Sequence, residues 1–354
     1  MADLTLRIDG HDISNWTSVQ VTRSLDDIAS SFDLQLVTEL SSKDPPVTIT
    51  DGSFAQIYYG SLLVLSGYVD SYDLSYDAVS TSLSLSGRSM AGDLVDCSAI
   101  APGKKTGGSW RNTLGLQIAS DICEPFGIEV KSDVGPLPQE RYFKLEEGET
   151  CFSALDRLAK DNGLRLRSEA DGSIVFTRAG LYVLPDVQIE SGRNVLTGGV
   201  TFDMSERFSD YLFKGQRCAD SETNGKNVNT SHLIQDDGVG RYRPLVLEKD
   251  RLVKQRAEWE RNTRAGKARQ LSYEIVNPDD VSLSWEMGSH GLWEPGAVVS
   301  VKDDFLDLDD MYIVTSATLV RDESGTRTSL KLTFPEAYQA APPVKKKKKG
   351  GFTW

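Results

Sequence analysis

"TSLSLSGRSMAGDLVDCS" (residues 81–98) starts as a strand and ends as something else. Leu83 and Leu85 alternate with Ser82, Ser84 and Ser86. That period of two puts one face of a β-strand against a core and the other against water. At Gly87 the alternation gives way to small and polar residues with an Arg, two Asps and a Cys. The run "SGRSMAGD" lacks the GxxxxGK[ST] spacing by which backbone amides wrap a phosphate ahead of a Lys and a hydroxyl. It also lacks the GxSxG turn that presents a nucleophilic serine. The stretch reads as architecture: a closing strand, a hinge from Gly87 to Cys97, and within it a helical turn that sends Leu94 and Val95 inward.

Upstream, the first ninety residues read as short alternating strands: 4–8, 16–24, 31–38, 54–60, 62–77 and 80–87. Asp9-Gly10, Asp44-Pro45-Pro46, Asp51-Gly52 and Tyr59-Gly60 punctuate them. Antiparallel strands at this spacing predict a small barrel or sandwich. Downstream, Leu116, Ile118, Ala119 and Ile122 predict a helix within 112–127 that stops at Pro125 and Gly127. A second helix begins at the N-cap Thr150, carries Phe152, Leu155, Leu158 and Ala159, and closes at Asn162-Gly163. Strands 164–168 and 173–178 follow, paired across Asp171-Gly172. Strands resume over 187–217; 219–240 reads as a long exposed loop, 251–270 as a basic helix, and strands return through 334.

The strand that opens the chain's riddle has an echo. "TSLSLS" (81–86) returns as "TSLKLT" (328–333), each as the second arm of a hairpin whose first arm is 62–74 or 311–322. A strand precedes each hairpin, 45–61 in one case and 292–304 in the other, the latter entered through Pro295-Gly296. The repeat implies two related β-domains, one at each end of the chain, with other material between them.

Composition narrows the function. The 354 residues suggest about two to four domains. With 39% hydrophobic and 26% charged residues and no apolar run near the roughly 18 that a span requires, a membrane helix is not expected. "MADLTLRIDG" has no basic segment followed by an apolar core, so no secretory signal is expected. Cys97, Cys123, Cys151 and Cys218 lie far apart and read as buried free thiols. His11, His232 and His290 are isolated, so neither a metal site, a cofactor site nor a catalytic constellation is predicted. "DDFLDLDD" (303–310) lacks the central Gly and terminal Glu of an EF-hand and reads as a solvated acidic loop. Carboxylate pairs elsewhere give no sign of the separation of about 5 to 9 Å that glycoside hydrolysis needs. A net charge of −13 disfavours duplex nucleic-acid binding, which depends on neutralising phosphates.

Two basic segments stand out. The helix 251–270 has seven Lys/Arg against two Glu; it either covers apolar surface with its long stems, around Leu252, Trp259 and Ala268, or docks on an acidic partner. The tail "APPVKKKKKGGFTW" cannot help folding. It is either a solubilising tail or a partner-docking arm formed by Lys345, Lys346, Lys347, Lys348 and Lys349, with Phe352 and Trp354 as anchors.

Several extended blocks, among them "LRIDGHDISNWTSVQVTRSLDDIASSFDLQL", "GYVDSYDLSYDAVSTSLSLSGRSMAGDLVDCSA", "TLGLQIASDICEPFGIEV", "FSALDRLAKDNGLRLRSEADGSIVFTRAG" and "LWEPGAVVSVKDD", occur in an order that resembles the baseplate hub proteins of Mu-like contractile-tailed phages and prophages. These are relatives of the late-control and tail-spike-hub proteins. The lysine-rich end departs from that pattern. The resemblance implies a mainly β fold with α+β inserts, in which each chain carries two related antiparallel β-barrel "tube" domains. The expected division is 1–90 for the first tube domain, 91–184 for an α+β domain, 185–218 with 285–338 for the second tube domain, 219–284 for an inserted loop-and-helix region, and 339–354 for the tail. It implies a non-enzymatic virion protein, assembled in the host cytoplasm, that forms a homotrimer in the tail baseplate. Such a trimer joins the sixfold tail tube, or its initiator, to the threefold spike and forms part of the DNA ejection channel without binding DNA specifically. The alternative is a cell-wall-degrading or glycan-binding component of the puncturing device.

Overall fold

The computed structural model describes residues 4–14, 16–39, 52–100, 108–216, 229–248 and 253–339. Seven strands form first: β1 (Leu4–Ile8), β2 (His11–Ile13), β3 (Ser18–Ser24), β4 (Ser31–Glu39), β5 (Phe54–Tyr59), β6 (Leu62–Tyr76) and β7 (Ser80–Ser89). All pair antiparallel in the order β3-β4-β7-β6-β5-β1-β2. The alternation works as expected: Val19, Val21, Phe32, Leu34, Leu83 and Leu85 are buried in one core. Each such side chain contributes about 1.5–3 kcal/mol.

An α+β unit follows, made of α1 (Ala91–Asp96), β8 (Ser109–Leu114), α2 (Gly115–Cys123), β9 (Val130–Ser132), β10 (Gln139–Lys144), α3 (Cys151–Asp161), β11 (Arg165–Ser168) and β12 (Ile174–Thr177). Its own core gathers Leu94, Ile118, Ile122, Leu155, Leu158 and Phe176. Thr150 caps α3 as its spacing predicts, Oγ1 accepting from the Ser153 amide at 3.2 Å. The β11–β12 hairpin turns through Asp171, whose Oδ1 accepts from the Ser173 amide at 2.9 Å.

The rest of the chain adds β13 (Tyr182–Glu190), β14 (Val195–Phe202), β15 (Asp210–Gln216), β16 (Asn229–Gln235), β17 (Pro244–Glu248), α4 (Val253–Lys267), β18 (Arg269–Ile275), β19 (Ala297–Asp303), β20 (Leu308–Asp322) and β21 (Gly325–Thr333). Residues 219–284, expected as loop and helix, hold three strands among the described residues. β16 and β17 flank β15 in a small sheet, packed through Tyr211 and Phe213 on Ala257 of α4. β18 belongs to the large sheet, between β14 and β21. The polar composition around 229–235 hid β16, since only one face of that sheet meets α4.

The two β regions are not separate sheets. β20 pairs with β3 in antiparallel register, from Ser316 opposite Ser24 to Arg321 opposite Val19. One thirteen-stranded sheet therefore runs from β14 through this junction to β2, with β13 and β19 off the main path. A closed barrel is not formed among the described strands; the observed fold is mainly β and largely antiparallel.

Candidate functional site

Residues 81–98 resolve into a mechanical joint. β7 continues past Gly87 to Ser89, whose amide donates to the Ser30 carbonyl at 2.8 Å. A Cβ at Gly87 would overlap the Tyr68 carbonyl oxygen and the Phe32 ring, so glycine is required by close approach of backbone, not by a ligand. Arg88 bridges Asp70 on β6 at 2.7 Å and Asp96 at the end of α1 at 2.6 Å, tying the sheet to the α+β unit. The Arg and Asp96 that looked chemical hold the hinge.

The other candidates divide the same way. Asp303, expected in a solvated loop, is buried: it accepts from the Tyr273 hydroxyl at 2.7 Å and from the amides of Phe305 and Leu306 at 2.9 and 3.1 Å. It is the cap of the β19–β20 turn, a role that its neighbouring carboxylates mask in sequence. Cys123 and Cys151 are buried, and burial pushes their thiols up to about 12 and about 11. Cys97 is exposed, contrary to expectation, because it lies just past α1, where the hinge turns to solvent. Cys218 and the tail residues Lys345–Lys349, Phe352 and Trp354 lie outside the described residues. On the basic helix α4, two of the basic residues pair within the chain: Arg264 with Glu260 at 2.8 Å and Glu206 at 3.0 Å, and Lys267 with Asp26 at 2.8 Å.

The informative constellation is a repeat of geometry. β6 and β20 are each 15 residues long, and each carries one extra residue, Asp70 or Thr315, against its hairpin partner. Seven residues beyond each bulge stands an aspartate, Asp77 or Asp322, whose Oδ1 accepts from the amide two residues on, at 2.8 and 2.9 Å. β5 lines the first half of β6 as β19 lines the first half of β20. The bulges align Leu85 with Leu330, so "TSLSLS" and "TSLKLT" belong to equivalent strands but are offset by two residues. An even offset preserves the inward face, which is why the echo is readable at all.

Where the two β regions and the α+β unit meet, a buried arginine joins a partly buried ionic cluster. Arg23 on β3 donates to Glu294 at 3.0 Å and to the Val64 carbonyl. Arg167 on β11 meets the other Glu294 oxygen at 3.1 Å, Glu169 at 2.7 Å and Asp133 at 3.3 Å. Burial holds the Arg23 pKa below its ordinary value and raises that of Glu169. The role of this cluster is positional, fixing three parts of the chain against one another.

Three family models match successive parts of the chain. They are the N-terminal part of the Mu phage baseplate assembly protein GpP-like family over residues 3–89, the second domain of baseplate hub proteins like gp44 over 91–178, and the fourth domain of the Mu phage baseplate assembly protein GpP over 250–341. The baseplate hub protein gp44 of Escherichia phage Mu is 29% identical over 366 residues, covering 98% of this chain and 92% of its own. Along most of its length the chain is thus similar to the Mu-like baseplate hub proteins. Among solved structures, the 43 kDa tail protein of prophage MuSo2 from Shewanella oneidensis is 29% identical, with a TM-score of 0.79 over 96% of this chain and 99% of that one. The tail protein from Neisseria meningitidis MC58, at 22% identity, shares the fold with a TM-score of 0.75, over 95% and 98% of the two chains. This hub is a structural protein of the phage tail baseplate.

Proposed function

We propose that the hub works as a homotrimer at the centre of the baseplate, joining a sixfold tail tube to a threefold spike and lining part of the path for DNA. The single observation that carries this reading is the duplicated unit of bulged hairpin and flanking strand, set side by side in one sheet. A trimer of such chains offers six similar surfaces above and three below, which a trimer of single β-domains does not. The proposed units are 1–90, 91–184 and 185–218 with 285–338, the last extended by β18; 219–268 is the insert and 339–354 the docking tail. The net charge of −13 suits a channel that DNA must traverse without being retained. Native mass spectrometry of the full chain, alone and with its spike, tests the reading. A trimer is expected, and a stable monomer at micromolar concentration under both conditions overturns it.

A further inference from the structure

Two cysteines far apart in sequence meet where the hinge enters the α+β unit. Cys97 closes α1, its amide donating to the Asp93 carbonyl at 2.9 Å. Cys151 opens α3 directly after the cap Thr150. A short antiparallel bridge joins the two places, with Ser98 opposite Thr150. The Ala99 amide donates to the Glu149 carbonyl at 2.9 Å, and the Cys151 amide to the Cys97 carbonyl at 3.0 Å. That register makes Cys97 and Cys151 the next opposed pair. Opposed residues of a hydrogen-bonded antiparallel pair have Cα atoms about 5.5 Å apart and side chains on one face. A disulfide spans Cα separations of about 4.4–6.8 Å. The two thiols also lie close enough for a charge on Cys97 to be felt at Cys151.

Exposure assigns them different parts. Cys97 is open to solvent and Cys151 is buried. Cys151 has a second thiol neighbour in Cys123, but that pair is sealed in the core, at 1% and 0% exposed. An oxidant from solvent therefore meets Cys97 first.

We propose that Cys97 and Cys151 are a redox-controlled staple, two free thiols that join as a disulfide when the chain meets a low-molecular-weight disulfide such as oxidised glutathione. The Cys97 thiolate attacks one glutathione sulfur, forming a mixed disulfide and expelling one glutathione thiolate. The Cys151 thiolate then attacks the Cys97 sulfur and expels the second. Two protons and two electrons leave the protein, and one oxidised glutathione becomes two reduced ones. Burial pushes the Cys151 thiol up to about 11, so the second step is the slow one and quickens as pH rises. Reducing compartments keep such a pair open and oxidising surroundings close it. The proposal goes beyond the hub reading and does not depend on it. Its effect falls on the hinge, now held by the half-exposed pair of Arg88 and Asp96, the residue beside Cys97. Salt weakens an ion pair of that kind, whereas a covalent link is indifferent to it.

The test is peptide mapping by mass spectrometry. The full chain is reduced, freed of reductant, held with oxidised glutathione at about pH 8.5, and alkylated in denaturant before digestion. A peptide joining Cys97 to Cys151 is expected in the wild type, in Cys123→Ser and in Cys218→Ser, and is expected to vanish in Cys97→Ser. The linked chain should unfold at a higher urea concentration than the reduced one and return to the lower value with dithiothreitol, because the link constrains the unfolded chain over 97–151. Three results would overturn the staple: Cys97 left carrying glutathione while Cys151 is alkylated, a link between Cys123 and Cys151 instead, or a Cys97–Cys151 link that leaves the urea midpoint unmoved.

Discussion

Gly87 shows what a single missing side chain does in a tightly joined sheet. Its neighbours across the strands leave no room for a Cβ, and both obstructions, a backbone carbonyl and a buried ring, are poorly able to move. Gly87→Ala is expected to cost about 2–3 kcal/mol by overpacking. Gly10, at φ +86° with open space around it, supplies the comparison, and Gly10→Ala is expected to cost about 1 kcal/mol from backbone conformation alone. Urea unfolding measures both, and equal losses would mean that the sheet yields at Gly87. The sequence announces Gly87 as a break in alternation but not its cause, which lies in residues 19 and 55 positions away. Arg23 was less legible still. It occupies an inward position of β3 after Val19 and Val21, and nothing in "SVQVTRS" distinguishes a buried arginine from the polar end of a strand.

At the scale of elements, strand existence was readable and strand partnership was not. The first six predicted strands agree with β1 and β3–β7 within two residues because every one has a buried face and a period of two. The bulges left a trace too: inward residues Val69 and Tyr72, or Val314 and Ala317, are three apart rather than two, a slip of phase that marks an inserted residue. The docking of α4 depends on partners far away in sequence, and it carries a pH signature. Burial favours the neutral form of Asp26, but hydrogen bonds from Lys267 at 2.8 Å and Tyr338 at 2.6 Å outweigh it and hold its pKa below 3.8. A carboxylate with a depressed pKa contributes its stability in full above its unfolded pKa, near 4, and loses it as pH falls through the folded value. Both Asp26 and Lys267 are half-exposed, so screening keeps the contribution modest. Asp26→Asn is expected to cost about 1 kcal/mol at neutral pH. The gap to wild type should close as the pH is lowered through the range below about 4, measured by thermal unfolding at each pH. A gap that widens toward acid would contradict the assignment.

For the molecule as a whole, the question is what keeps a hub made of repeated and inserted parts from flexing at its junctions. Pairing of β3 with β20 supplies continuity of the sheet, yet a strand junction alone tolerates twist. Glu294 adds a second constraint. It lies just before the Pro295-Gly296 turn into β19 and receives Arg23 from the first β region and Arg167 from the α+β unit, one on each carboxylate oxygen. Removing its charge takes the carboxylate partner from the buried Arg23, while Arg167 keeps Glu169 and Asp133; with Glu294 itself about one-third exposed, Glu294→Gln is expected to cost about 1–2 kcal/mol. The exposed pair of Arg7 and Asp12, 2.7 Å apart, provides the contrast; Asp12→Asn is expected to leave stability almost unchanged. Fluorescence-monitored urea unfolding can separate the regions, because Trp285 and Trp293 sit in the β core and Trp110 in the α+β core. The Glu294 variant should lose the coincidence of the two signals, the α+β core melting apart from the sheet, whereas the Asp12 variant should keep one transition. A Glu294 variant that unfolds in one transition, at a cost no greater than that of Asp12→Asn, would mean that the sheet alone holds the hub rigid.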